Sequence, residues 1–325
     1  MNRNMMKLFA WKGLFNMEKK SYLEGIEGSG LLLITSLVWG LGFIAQKLGM
    51  DHMQPFMFTG IRNYMAALAL LPIIYFTGKR ARKLGKSSGD LKTTVIAGVV
   101  CGVCLFIASN LQQVGIQYTT AGKTGFITAM YIVLVPIIGF FMGKRIRAVI
   151  VLSLVIAVIG LYFLCITEGF YLSKGDTFVL LCALCFSIHI IAVDHFVGKS
   201  NPVALSCIQF AVSGTLSTLL SLFTETTTMD NIYQCMPALL YAGVVSSGVG
   251  YTLQIVGQQK VPPAIASLLM SFESVFSVIF GAIILKDVMT VREIIGCILV
   301  FTAVILSQLP EDIFSKNKAS NSSNP

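Results

Sequence analysis

Charge is what this sequence has least of. Asp, Glu, Lys and Arg make up 12% of its 325 residues, against 55% hydrophobic residues, too little polar surface to coat a water-soluble fold of that length. Signatures of nucleotide and hydrolase chemistry are missing as well: no GxxxxGK[ST] phosphate loop, no HExxH and no GxSxG occurs. Neither an ATP-driven pump on this chain alone nor a hydrolytic enzyme fits that inventory. Long polar stretches are also absent. The longest internal loop is about 16 residues, which leaves no platform for the competing function class, a membrane receptor or partner-binding subunit without transport. A membrane-embedded enzyme would need acids, His or Cys clustered at one depth, and those residues are scattered here.

What is present is a series of apolar windows, each about 20 residues and able to cross a bilayer as a helix. They fall near 30–49, 55–76, 93–116, 120–142, 147–166, 175–197, 202–223, 236–257, 264–285 and 290–309. Pro55 and Pro202 stand where a helix starts, a position at which a missing N–H costs nothing. The cysteines include two CxxC pairs, Cys101/Cys104 and Cys182/Cys185, but nearly all eight lie inside apolar windows, where Cys behaves as a small hydrophobe. Neither a metal, a cofactor nor a disulfide is expected.

The net charge of +9 sits in short loops rather than on one patch, so it reads as a topology signal and not as a nucleic-acid surface. With both ends inside, 18 of the 24 Lys and Arg face the cytoplasm and 5 the outside, with Arg62 inside the second window. That bias predicts N-in and C-in. The basic segment 5–17, MMKLFAWKGLFNM, reads either as a short helix lying in the headgroup region or as sequence upstream of a start at Met17. Compact loops and the absence of an organelle leader suit the inner membrane of a bacterial cell.

The chain also repeats itself. LVWGLGFIAQKLGMDHMQP (37–55) aligns with LCFSIHIIAVDHFVGKSNP (184–202) at an offset of 147, and LQQVGIQ (111–117) with LQIVGQQ (253–259) at 142. Five windows per copy is an odd number, so the second copy enters the membrane upside down. The predicted fold is therefore an all-α membrane protein of ten transmembrane helices in two inverted five-helix repeats. Its parts are a cytoplasmic segment 1–28, repeats 29–167 and 168–309, and a disordered cytoplasmic tail 310–325. Inverted repeats are a building plan of secondary transporters, because the two halves can exchange conformations to open the site to either side.

Few polar groups lie within these windows, and each is a functional candidate by default. Glu273 falls near mid-membrane in the ninth window, where its counterpart in the first copy is Tyr131. Arg62 lies about two turns into the second, as an anchor for an anionic group or a structural arginine bonded to carbonyls. His189 sits midway along the sixth and replaces Gly42, either as a packing residue or as a proton relay. Lys47 and Asp194 occupy matched positions at opposite faces. Amides at Gln113 and Gln117, and at Gln254 and Gln258, share a helical face by their i, i+4 spacing, suited to a neutral or zwitterionic solute or to bonding between helices. Trp39, with Gly40 and Gly42, sits too deep for the interfacial belt and suits a cavity wall. Pro136 and Pro262-Pro263 interrupt or start helices.

At these residues the chain resembles the drug/metabolite transporter superfamily, and specifically its EamA-type ten-helix members. The resemblance rests on WGLGFIAQKLGM with Pro55 and Arg62, IQYTTAGKTGFITAMYIVLVPIIG, GDTFVLLCALCFSIHIIAVDHF, VPPAIASLLMSFESVFSVIFGAIIL and VREIIGCILV, in that order over residues 30 to 309. It implies a carrier of amino acids and other small metabolites, often outward, with a central cavity and with the fifth and tenth helices peripheral. Trp39, Arg62, Gln113, Tyr131, His189, Tyr251 and Glu273 are the expected cavity residues, and Glu273 and His189 the candidates for proton coupling. Two departures bear on that expectation. Gly143-Lys144 and Lys286-Asp287 stand where the family often has Gly-Glu, and Ser274 where a proline often follows the helix-nine Glu.

Overall fold

A computed structural model describes the backbone of residues 3–83, 90–119, 121–165, 173–285 and 290–307, and side chains over 23–79, 90–119, 121–163, 173–284, 290–292 and 294–307. The expected tail, the Lys286-Asp287 step and the side chains of the N-terminal basic residues lie outside that range. Every regular element among the described residues is helical. In chain order they are α1 (Arg3–Gly49), α2 (Pro55–Lys83), α3 (Leu91–Gln117), α4 (Ala121–Thr128), α5 (Tyr131–Phe141), α6 (Ala148–Cys165) and α7 (Lys174–Val197). Then come α8 (Pro202–Thr224), α9 (Met229–Leu240), α10 (Thr252–Gln258), α11 (Pro263–Met270), α12 (Phe272–Phe280) and α13 (Val291–Ser307). A π-helical stretch, Tyr241–Tyr251, joins α9 to α10, and a second, Gly281–Leu285, extends α12.

Among the described residues, eight spans are long and apolar enough to cross a membrane, three of them built from consecutive helices: Ala121–Phe141, Met229–Gln258 and Pro263–Ile284. The fifth and tenth windows give shorter apolar helices, Ala148–Phe163 and Ile294–Ser307. These two pack on each other, and Gly160 makes the approach close, since a Cβ there would lie 2.9 Å from Leu299 Cβ and from the Val300 backbone. The segment 5–17 is not a separate short helix. It runs unbroken into the first span as part of α1, because no proline interrupts the chain before Pro55.

Helix starts follow local chemistry. Asp90 caps α3 by accepting from Thr93 N and Oγ1 at 2.8 and 2.6 Å, and those bonds from the Thr93 side chain and backbone hold its carboxyl below the ordinary Asp range. Ser173 with Asp176 forms a capping box on α7, and Thr228 with Asn231 another on α9. The start of α2 is capped from a distance: Glu225, at the end of α8, accepts from Phe56 N and Met57 N, both at 2.8 Å. Between helices, amides bond to hydroxyls of α8. Asn63 Nδ2 donates to Ser213 Oγ at 2.9 Å and Asn110 Nδ2 to Ser217 Oγ at 2.7 Å, the polar pairing that substitutes for hydrophobic association inside a bilayer.

Candidate functional site

Two spans break in mid-course, and both breaks face the centre of the bundle. The fourth window turns at Ala129 and Met130 before α5 starts at Tyr131, and the ninth turns at Ser271 before α12 starts at Phe272. Neither break coincides with a proline, since Pro136 lies inside α5 and Pro262-Pro263 opens α11. Immediately after the breaks stand the two residues that the sequence alignment equates. Tyr131 Oη donates to Glu273 Oε1 at 2.9 Å, and both side chains are buried.

Around this bond lies a small cavity of about 30 Å3, lined by Trp39, Phe43, Gln46, Arg62, Gln112, Thr128, Tyr131, Phe186, Ile190, Ser246, Tyr251, Gln254 and Glu273. Its aromatic wall is Trp39 against Tyr251, ring centroids 4.6 Å apart, with Tyr251 backed edge-on by Phe210 at 5.5 Å. The indole Nε1 of Trp39 donates to Ser246 O at 3.1 Å. That carbonyl belongs to the π-helical stretch, a local widening of the helix common at functional sites. Close backbone approach brings the charges here. A Cβ on Gly40 would meet Phe276 Cβ at 2.5 Å and Glu273 O at 2.9 Å, and one on Gly243 would meet Arg62 O at 2.8 Å.

Arg62 and Glu273 line this one cavity without pairing with each other. Three further atoms around it lack hydrogen-bond partners although buried: Arg62 Nε, Gln46 Oε1 and Gln254 Oε1. An unsatisfied buried polar group costs about 1–3 kcal/mol, and a charge at the bilayer centre about 2.5–3.5 kcal/mol or more. Beside the Tyr131–Glu273 bond, one guanidinium donor and two amide acceptors are thus held in reserve within a single space.

Five of the seven residues singled out in the sequence meet here: Trp39, Arg62, Tyr131, Tyr251 and Glu273. The other two lie just behind. His189 Nε2 is 3.0 Å from Gln209 Oε1, with its ring edge-on to Tyr251. Gln113 donates to Gln46 O at 3.4 Å, while its neighbour Gln112 lines the cavity and bonds to Thr128 Oγ1 at 3.1 Å. Gln254 Nε2 donates to Gln258 Oε1 at 3.0 Å, and Gln258 continues to Ile190 O at 3.1 Å. Sequence reasoning passed over Phe43, Gln46, Thr128, Phe186, Ile190 and Ser246. Spacing held the signal for two of these, since 39, 43 and 46 fall on one helical face. Lys47 donates to Ile116 O and Thr119 O at 2.9 and 3.1 Å, and Asp194 pairs with Lys144 at 2.7 Å.

Comparison with known proteins agrees with a membrane carrier. The EamA-like transporter family model matches residues 27–166 and again 173–309. An uncharacterized transporter of Archaeoglobus fulgidus is 31% identical over 279 residues, covering 86% of this chain and 84% of its own. The uncharacterized transporter YoaV of Bacillus subtilis is 22% identical, covering 89% and 98%, and a WAT1-related protein of Arabidopsis thaliana is 25% identical, covering 80% and 78%. A crystal structure shares the fold at a TM-score of 0.69 and 14% identity, over 89% of this chain and 96% of that one. With two family matches that together span nearly all of the apolar sequence, the chain belongs to the EamA-like transporter family and is a multi-pass membrane transporter.

Proposed function

We propose that this protein is a secondary transporter of small zwitterionic, amino-acid-like solutes, working by alternating access in the cell membrane. The observation that carries the reading is a guanidinium, Arg62, and a carboxyl, Glu273, on the wall of one cavity, together with the unsatisfied amide oxygens of Gln46 and Gln254. A carboxylate suits the Arg62 guanidinium, an ammonium suits Glu273 and the amide oxygens, and a short apolar body suits the Trp39–Tyr251 wall. Tyr131 engages only Oε1 of Glu273, which leaves Oε2 for an ammonium or a proton. Those two compete, so binding of solute and binding of a proton exclude each other at this carboxyl.

The architecture proposed with it is ten helices in two inverted repeats. Packing supports this, because contacts recur in pairs when the copies are exchanged. α1 lies on α12 as α7 lies on α4 and α5, and α2 lies on the π-helical Tyr241–Tyr251 stretch as α8 lies on α3. The pairs α2–α8 and α6–α13 map onto themselves. The cavity, about 30 Å3, has room for one or two waters, far below the roughly 300 Å3 or more of a small-molecule site. Solute therefore enters only when one face opens, which is the behaviour alternating access requires.

Purified protein in liposomes should exchange a labelled neutral amino acid, and unlabelled zwitterions should compete. Analogues lacking either the amine or the carboxylate should compete on the order of 100-fold less well, since each leaves a buried charge unpaired. Glu273→Gln should abolish uptake driven by a pH gradient and also weaken counterflow exchange of the zwitterion on the order of 100-fold, since proton and ammonium share this one carboxyl. No flux above empty liposomes across a metabolite panel would sink the transport reading, and equal competition by the one-charge analogues would sink the zwitterion.

A further inference from the structure

We infer that a second cavity, between α5, α6, α7 and α11, binds an anionic phospholipid from the leaflet at its face. The space is about 320 Å3 and lies beside the central site, with Val135, Ile150, Ile191 and Ile265 among its walls and Lys144, Arg145 and Arg147 at its mouth. Charge and apolar volume are thus stacked in the order in which a phosphate ester and its acyl chain meet a membrane protein. A free anion has no use for the apolar volume. A neutral lipid has none for the cations.

The fold assembles this mouth deliberately. Gly143, at φ 81, reverses the chain after α5, and Lys144 N returns to Gly139 O at 2.9 Å, which carries the run Lys144-Arg145-Ile146-Arg147 back under the half-helix. Lys144 pairs with Asp194, and Arg145 and Arg147 line the cavity beside it. Two helix starts add partial positive charge to it: α6 begins at Ala148, and α11 begins at Pro263 with no side-chain cap. The matching step of the second half, Lys286-Asp287-Val288-Met289, carries an acid among its residues. A basic mouth is therefore not something the scaffold demands.

The experiment is lipid retention by the full chain. Purified protein in detergent is given equal dioleoyl phosphatidylglycerol and dioleoyl phosphatidylethanolamine, and bound lipid is read by native mass spectrometry. Wild type should retain phosphatidylglycerol preferentially. Arg145→Gln with Arg147→Gln should lower that retention on the order of tenfold, while Lys92→Gln with Lys199→Gln, exposed residues outside the cavity, should leave it unchanged. Ala264→Phe, which fills the apolar part and keeps every cation, should also abolish it. Equal loss in the Lys92/Lys199 variant, or full retention in Ala264→Phe, would reduce the effect to general surface charge and overturn the proposal. Displacement by glycerol 3-phosphate as effective as by phosphatidylglycerol would overturn it too, by identifying a soluble-anion site. None of these readings depends on transport, so they stand or fall apart from the solute proposal.

Discussion

At the scale of residues, the site lies where the two sequence copies disagree. Alignment equates Arg62 with Gln209, Gly42 with His189 and Tyr131 with Glu273. In the second copy Gln209 finds His189 at 3.0 Å. In the first, the position matching His189 is Gly42, with Ser246 Oγ 2.8 Å from where its Cβ would be, so Arg62 has no such partner and its Nε stays unsatisfied. The same scaffold position thus meets a neighbouring ring in one half and lines the cavity in the other. Arg62→Gln should raise the half-saturation concentration for solute roughly 10- to 100-fold, the loss of one charged hydrogen bond of about 1.5–3 kcal/mol, without lowering the melting temperature. Gln209→Ala should do the reverse, costing about 1–3 kcal/mol of stability by stranding His189. Counterflow uptake and thermal melting of both variants check this, and wild-type solute affinity in Arg62→Gln would remove Arg62 from the site.

At the scale of elements, glycines place the charges and caps place the helices. Gly40→Val would drive a side chain into Phe276 and the Glu273 carbonyl, and should abolish exchange while destabilising the fold by about 1–3 kcal/mol, read by melting temperature and uptake together. Glu225→Ala should cost about 0.5–2 kcal/mol by uncapping α2, visible as a lower melting temperature with uptake intact. Asp90 adds a pH test. Its folded carboxyl titrates below the ordinary value, so its cap contributes above the unfolded Asp range and is lost as pH falls through the folded value. The melting-temperature gap between wild type and Asp90→Ala should therefore close in acid.

Much of this level was readable beforehand. Apolar windows located the spans, Pro55 and Pro202 marked two starts, and burial cost pointed to Arg62 and Glu273. The breaks at 129–130 and 271 and the π-helical stretch 241–251 were not readable. Prolines act locally and were read as interrupting or starting helices where they stand, as Pro263 does for α11, whereas these distortions are accompanied by contacts more than 100 residues away, such as Tyr131 with Glu273 and Trp39 with Ser246. Which of two adjacent amides, Gln112 or Gln113, reaches the cavity likewise depends on helix rotation, which only packing sets.

At the scale of the whole molecule, two ion pairs tie helices together at opposite ends of the spans, and the proposed cycle would have to loosen them in turn. One end is held by Lys144–Asp194 at 2.7 Å, with side chains 49% and 25% exposed. An exposed pair of that kind is worth about 0.2–1 kcal/mol, no more than roughly a fivefold bias between closed and open. The other end is held by Lys123–Asp176 at 2.6 Å, where the carboxylate is 1% exposed and also accepts from Thr119 Oγ1 at 2.9 Å and Ser173 N at 2.7 Å. Three donors converge on that carboxylate, and a hydrogen bond to a charged group is worth about 1.5–3 kcal/mol, so this tie outweighs the exposed pair. The proposed cycle should therefore open readily at the Lys144 end and reluctantly at the Lys123 end. Asp176→Asn should reverse that preference, raising hydrogen exchange in α4 and the start of α7 by more than tenfold while leaving the Lys144 end protected, and Lys144→Ala should raise exchange near residues 140–150 only a few-fold. If Asp176→Asn instead loosened both ends together, the tie would be holding the fold rather than one gate, and the asymmetry between the two faces would have to come from elsewhere.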